Sequence, residues 1–306
     1  MTRTNAFAVT LVGLAVAVFG PPAMANRETN SEPVPSRLPG QDLPVVREHT
    51  YRMAGKIRML LLWVGRDDVG SGVIKWRGRG HNRAFEVLIG SDPQKAPNQL
   101  NKWGFLLEEV RGSESAVVGL ISQENDDKLS EVRADLRRRK DLRAFDTIRG
   151  LVTTLEGNAR VGTLHAPSEL TYHDVGMVLE GVFADTSLEV KRVPRRGDVR
   201  AGFLSSLTEM ITSTLERKPV RRIPYIHGDR LYELRLLEST PLARFERDGR
   251  TFPNVIRGRF ETGEAGRRSG TRFELVYGAS GALAGVPILI SYQPKWWLQV
   301  DLVLHP

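Results

Sequence analysis

The stretch Tyr51-Arg-Met-Ala-Gly-Lys-Ile-Arg-Met-Leu-Leu-Leu-Trp63 decides the fold. Its odd positions are Tyr51, Met53, Gly55, Ile57, Met59, Leu61 and Trp63, and its even positions include Arg52, Lys56 and Arg58. Successive side chains of a strand point to opposite faces. A period of two therefore gives one apolar face and one mostly wet face, as in an antiparallel sheet over a single core. Working outward, Gly65-Arg-Asp-Asp-Val-Gly70 reads as a turn, and Val73–Arg77 returns with Ile74 and Trp76 on one face. Gly78-Arg-Gly-His-Asn82 reads as a second turn, after which Phe85, Val87 and Ile89 continue the row.

The far end of the chain alternates as cleanly. Ile256, Gly258 and Phe260 oppose Arg257, Arg259 and Glu261, and Phe273, Leu275 and Tyr277 oppose Arg272 and Glu274. Gly278-Ala-Ser-Gly281 reads as a turn between strands. Val286, Ile288, Ile290 and Tyr292 form the next apolar row, and Trp296, Leu298, Val300, Leu302 and Leu304 the last. Shorter strands are expected at Thr147–Leu155, Ala159–His165 and Leu231–Glu238. Many strands punctuated by Gly, Asp and Asn predict a mainly β fold with some α. The expected form is an antiparallel curved sheet making a barrel or half-barrel, with two or three helices packed on it.

The helices are expected in two places. Asp127–Leu142 sets Leu129, Val132 and Leu136 on one stripe with Arg137-Arg-Arg-Lys140 beside it. Thr171 with Asp174 resembles a capping pair ahead of Val175, Val178, Leu179 and Val182. A third helix follows Asp198, burying Phe203, Leu207, Met210, Ile211 and Leu215, and Pro219 ends it. These insertions, near 124–142 and 172–216, interrupt a single β-rich domain spanning 49–306. Residues 26–48 carry Pro33, Pro35, Pro39 and Pro44 among polar residues and read as a flexible tether.

Residues 1–25 read as a secretory signal: Arg3, an apolar run from Ala6 to Phe19, a Gly-Pro-Pro break and the small-x-small site Ala23-Met-Ala25. The run is too short for a span of about 20 apolar residues, so no transmembrane segment is expected after cleavage. The expected location is extracytoplasmic, the periplasm in a diderm bacterium. The chain has no cysteine, which excludes disulfides, thiol catalysis and lipid attachment at a cysteine. Cleavage leaves 306 − 25 = 281 residues, enough for a core without staples. Loss of Arg3 leaves 44 − 1 = 43 basic residues against 36 acidic, a net charge of +7. That balance favours an anionic or amphiphilic envelope lipid or glycan as partner. Nucleic acid is not an expected partner outside the cytoplasm, and the sequence identifies no protein partner.

The run from Phe273 to Leu304 contains a strand, a turn, the Val286-Pro-Ile-Leu-Ile strand and a final alternating strand. It resembles the closing strands of a family of exported bacterial proteins of unknown function. Tyr51–Gly72 is similar to that family's first hairpin, whereas the middle, Glu124 to Leu188, departs from it. The resemblance implies an antiparallel barrel or half-barrel in the cell envelope, and it implies no activity.

No motif carries chemistry on its own. The local group His165, Glu169, His173 and Asp174 has metal-ligand residue types, but Pro167 interrupts the stretch that would place them on one helix face. Gly278-Ala-Ser-Gly-Ala282 lacks the glycine spacing of a nucleophile elbow and lies between strands. Gly70-Ser-Gly72 and Gly78-Arg-Gly80 lack the third glycine and the helix of a phosphate loop. In the carboxylate pairs Asp67-Asp68, Glu108-Glu109 and Asp126-Asp127, adjacent strand residues face opposite ways. Calcium at Asp67 and Asp68 would need a ligand spacing that the loop lacks.

The aromatic residues Trp63, Trp76, Phe260, Phe273, Tyr277 and Trp296 all fall on apolar faces, and they are the candidate ligand-binding residues of a barrel interior. They either fill a closed core or line a cavity. No catalytic residue, metal site or cofactor is expected. The leading expectation is a non-enzymatic envelope protein binding a lipid or other amphiphile in the barrel. The alternatives are an envelope assembly protein without a small ligand, and a hydrolase acting on an envelope polymer.

Overall fold

The computed structural model describes residues 39–59, 62–111, 114–122, 145–153, 158–167, 171–176, 179, 189–192, 202–227, 230–267, 270–295 and 298–306. Side chains are not described at 57, 59, 98, 114, 115, 120–122, 145–153, 158–167, 189–192, 294 and 295. The elements are β1 (Val45–Met59), β2 (Leu62–Arg79), β3 (Asn82–Ser91), β4 (Trp103–Arg111), β5 (Glu114–Ser122), β6 (Phe145–Thr153), β7 (Asn158–Pro167) and β8 (Glu189–Arg192). They continue with α1 (Phe203–Leu215), β9 (Arg222–His227), β10 (Arg230–Arg247), β11 (Arg250–Glu264), β12 (Thr271–Gly278), β13 (Pro287–Lys295) and β14 (Leu298–Leu304).

Among the described residues all fourteen strands join one barrel-like antiparallel sheet, in the order β8-β7-β6-β5-β4-β3-β2-β1-β14-β13-β12-β11-β10-β9. The period-two rows become the core. Gly258, Leu275, Ile290, Leu302, Met53 and Gly70 lie in register across six strands. One step along, Arg259, Glu274, Ser291, Asp301 and Ala54 form the opposite face. That face carries a ladder of ion pairs, among them Arg257–Glu274 (3.3 Å), Arg259–Glu238 (3.1 Å) and Arg272–Glu261 (3.0 Å). An apolar inner row with a charged outer row is the reverse of the lipid-facing pattern of transmembrane barrels. Among the described residues no helix is long and apolar enough to cross a bilayer.

The β10–β11 hairpin is long enough to fold back on the sheet. A register shift between Leu236 and Glu238 bends it, and its tip reaches β14 and β1. Arg247 meets Asp301 at 3.1 Å, Arg250 donates to the Leu304 carbonyl at 3.1 Å, and Arg52 pairs with Asp248 at 2.6 Å. Val276, Leu289 and Val303, on the outward row, are thereby buried rather than wet.

Several expectations are corrected. One α-helix with complete bounds is described, α1, where two or three were expected. Asp127–Leu142 lies outside the described residues. At the second site the capping pair is present: the Thr171 N–H donates to Asp174 at 2.8 Å and the His173 N–H to the Thr171 hydroxyl at 3.3 Å. It opens a 3-10 turn, Tyr172–Asp174, followed by helical Val175, Gly176 and Leu179. Pro219 does not itself end α1. Arg217 adopts a left-handed φ of 61°, its N–H donates to Thr214 at 3.1 Å, and the Lys218 N–H donates to Ser213 at 2.9 Å. This is the double bond of a Schellman end, completed before the proline. Gly65–Gly70 is no turn between strands but part of β2; the reversal falls between Met59 and Leu62. The tether expected up to residue 48 stops sooner, because β1 starts at Val45 and Leu43 is already buried.

Gly278 ends β12 where the next connection crosses it. A Cβ there would sit 2.2 Å from the Leu283 carbonyl oxygen. Backbone has to move, so Gly278→Ala is expected to destabilise by about 1–3 kcal/mol. A urea midpoint equal to wild type would show that the close approach is not needed.

Candidate functional site

α1 packs into the core through one side of its circumference, because Phe203, Leu204, Leu207, Met210, Ile211 and Leu215 cluster there while Glu209 and Thr212 stay exposed. Phe203, Ser206, Met210 and Ser213, spaced three and four apart, form the side buried in the core. Phe203 packs against Tyr225 of β9 and Phe273 of β12, each at 5.9 Å between ring centroids. Leu204, Leu207, Thr208, Ile211 and Leu215 form a second stripe.

The helix has no capping residue of its own, since Gly202 precedes it. Glu108 of β4 supplies the acceptors instead. Its carboxylate takes the N–H of Leu204 at 2.7 Å, the N–H of Ser205 at 2.8 Å and the Ser205 hydroxyl at 3.1 Å. These are donors that the first turn cannot satisfy internally, and a negative charge is favoured there. Glu108 is fully buried, and burial pushes its carboxyl up to about 7 against the opposing pull of the Leu204 and Ser205 hydrogen bonds. Gly202 has to be glycine for this contact, because a Cβ would stand 2.5 Å from a Glu108 oxygen.

The second stripe of α1, with Ile211 buried and Leu204, Leu207 and Leu215 partly buried, borders open space. It faces a cavity of about 410 Å³. Ile74 and Trp76 of β2 and Phe85, Val87 and Ile89 of β3 form the facing wall. Leu275, Ala284, Gly285, Pro287 and Ile290 form the third side. Val46, 65% exposed, marks where the cavity reaches solvent. Arg47 is the only ionisable group among the described lining residues. Its guanidinium donates to the Ala284 carbonyl at 3.1 Å and stands 5.9 Å from the Trp76 ring centroid. His49, two residues on, meets Trp76 edge-on at 5.9 Å. Desolvation and then the Arg47 charge lower its pKa, so its ring is held neutral near neutral pH.

Of the aromatic residues expected inside, Trp76 lines the cavity. Phe260, Phe273 and Tyr277 are buried in packed core, Phe260 stacked on Phe273 at 5.2 Å. Trp63 is 42% exposed and is not in the interior: the hairpin reverses before it, which sets it on the outer end of β2. Trp296 lies outside the described residues. Of the metal-type group, Glu169 and the His165 side chain lie outside them as well, while His173 is exposed. Glu108 and Glu109 face opposite ways, Glu108 to α1 and Glu109 to Arg111. Asp68 pairs with Lys95 at 3.0 Å.

Arg47 and His49 were not among the expected site residues. Their signal was present, since both continue the odd-numbered row of Tyr51 and Met53 upstream. No protein-family model matches the chain, and neither does any curated protein or solved structure.

Proposed function

We propose that this chain is a non-enzymatic binding protein of the cell envelope that holds an amphiphile with one apolar chain and an anionic end. The observation that carries this is the 410 Å³ apolar cavity left open in a core otherwise packed with aromatic rings. Ligand sites are typically concave, mostly apolar and about 300–1,000 Å³. At about 30 Å³ per group of water size, the space suits roughly a dozen methylene-sized groups, a single acyl chain rather than a two-chain lipid. Arg47 supplies the polar end, with a guanidinium suited to a carboxylate or phosphate.

Dodecanoate is the probe. Leu207→Trp puts an indole into the cavity from α1, and Arg47→Gln keeps the stem while removing the charge. Titration calorimetry is expected to show saturable binding by wild type, loss of at least tenfold in Leu207→Trp, and a roughly tenfold loss in Arg47→Gln, the range of one charge-assisted hydrogen bond. Circular dichroism checks that both variants fold. Absence of binding by wild type, or unchanged binding in a folded Leu207→Trp variant, would sink the proposal.

A further inference from the structure

The first hairpin runs on as an arm past its neighbours, past β3 beyond Gly70 and past β14 beyond Ile57, the residue opposite Val64. The last pair of β3 with β2 is Gly70–Ser91, and the last pair of β14 with β1 is Ile57–Leu298. From Leu62 to Asp68, β2 therefore has β1 as its only neighbouring strand, paired with it from Leu62 to Arg66. All seven residues are exposed. The arm begins at a register irregularity: Met53 pairs with Gly70 but Gly55 with Arg66, and Asp68 takes a left-handed φ of 57° there. Lys95 pins the base through Asp68 at 3.0 Å.

The arm is the wrong composition for solvent. Leu62 is 73%, Trp63 42% and Val64 54% exposed, and as neighbours in a strand they show apolar surface on both faces. Arg58 stands opposite Trp63, and Arg66 opposite Gly55. No acidic residue occurs between Lys56 and Arg66. A protein groove or a second strand would cover one face or one edge. A bilayer interface covers both faces at once, accommodates an amphipathic indole at headgroup level and attracts flanking arginines to anionic lipid. Three strand residues span roughly 10 Å, which matches the roughly 5–10 Å depth reached by interfacial segments.

We propose that the tip of this arm, Leu62-Trp63-Val64 with Arg58 and Arg66 at its flanks, inserts into the interface of a bilayer bearing anionic lipids. The insertion is independent of the cavity. Trp76, on the cavity wall, stands thirteen residues from Trp63 along β2, on the order of 40 Å, so the docked arm leaves the cavity mouth away from the bilayer.

The test is co-flotation of the full chain with phosphatidylcholine vesicles with and without phosphatidylglycerol, at low and high salt. Wild type is expected to float with the anionic vesicles and to be released by salt. The double variant Leu62→Ser, Val64→Ser is expected to lose at least tenfold in partitioning. Arg58→Gln and Arg66→Gln are expected to lose about fivefold each, with a weaker salt dependence. Brominated lipid should quench wild type more than Trp63→Phe, a difference that mere misfolding would not produce. Leu62, Trp63, Val64 and Arg66 are exposed, so thermal midpoints should not change on their substitution, while Arg58 is half-buried and its variant is judged against its own midpoint. Failure of wild type to float, flotation of the double variant at the wild-type level, or a dimer abolished by the serine pair without vesicle binding would each overturn the proposal. Dodecanoate binding to the cavity should persist in the serine variant, which keeps the two proposals separable.

Discussion

Alanine at Glu108 is expected to lower the unfolding free energy by about 3 kcal/mol, since it strands the half-buried N–H groups of Leu204 and Ser205 at the start of α1. The same loss frees the end of the helix that forms one wall of the cavity, so dodecanoate binding should weaken alongside stability. The charge has a separate, pH-dependent effect. Folding raises the Glu108 carboxyl from 4.5 to about 7, with burial as the largest cause. Between those values the folded chain holds a proton on Glu108 that the unfolded chain has released, so the contribution of this group to stability falls as pH rises through the window, by on the order of 3 kcal/mol. Glutamine, which cannot ionise, should remove this contribution.

His227 of β9 acts in the opposite sense. It is buried against Tyr232, and burial lowers its pKa from 6.5 to about 3. Unfolding lets it take up a proton, so its contribution is present above 6.5 and is lost as pH falls toward 3. From 4.5 to 6.5 the two effects cancel, each state binding one proton. Wild type should show a flat stability profile there by urea denaturation. Glu108→Gln should expose a rise with pH in this window, and His227→Phe a fall. Two variants with the same flat profile as wild type would refute the assignment.

Asp301→Ala is the second large effect. The Asp301 side chain is 1% exposed and accepts from Lys56 at 2.9 Å, Arg247 at 3.1 Å, Ser291 at 2.8 Å and Gln299 at 2.7 Å. It thereby ties β1, β13 and β14 to the folded-back tip of the β10–β11 hairpin. Burial alone would raise its pKa, but the hydrogen bonds from Gln299, Lys56 and Ser291 outweigh it and hold the carboxyl below its ordinary value. The lost network should cost about 3 kcal/mol, the low end for a buried pair, because Lys56 and Arg247 are each partly exposed. The stabilising effect of the charge is present above 3.8 and is lost as pH falls through the lowered folded value, a loss that Asp301→Asn should remove. An Asp301→Ala urea midpoint within experimental scatter of wild type would show that the hairpin tip holds without it.

Strands with one wet face were legible in the sequence, and strands without one were not. β1, β11, β12 and β14 alternate and were expected. Trp103–Glu109 of β4 is buried at every residue, so no period of two exists to be read. The cavity was foreseen as one of two outcomes for an aromatic interior. What sequence could not show was that Phe260, Phe273 and Tyr277 would fill the core while α1 held the space beside Trp76 open. That depends on Glu108, ninety-six residues from the N–H group it binds. Arg47 was hidden for a simpler reason: prolines upstream read as a tether to residue 48, although the alternation through His49, Tyr51 and Met53 already ran back through it.

The join between β1 and β14 also sets an order of events for the chain as it is made. Among the described residues every other strand pair links neighbours in sequence, but Tyr51 must wait for Leu304. At about 5–20 residues per second, that wait is roughly 12–50 s of synthesis. The eight early strands can assemble hairpin by hairpin during this time, while β1 carries a bare hydrogen-bonding edge beside its apolar row. Such an edge invites pairing with the wrong chain. A holdase that masks β1 until its partner emerges should raise the yield of folded protein far more than one acting after release.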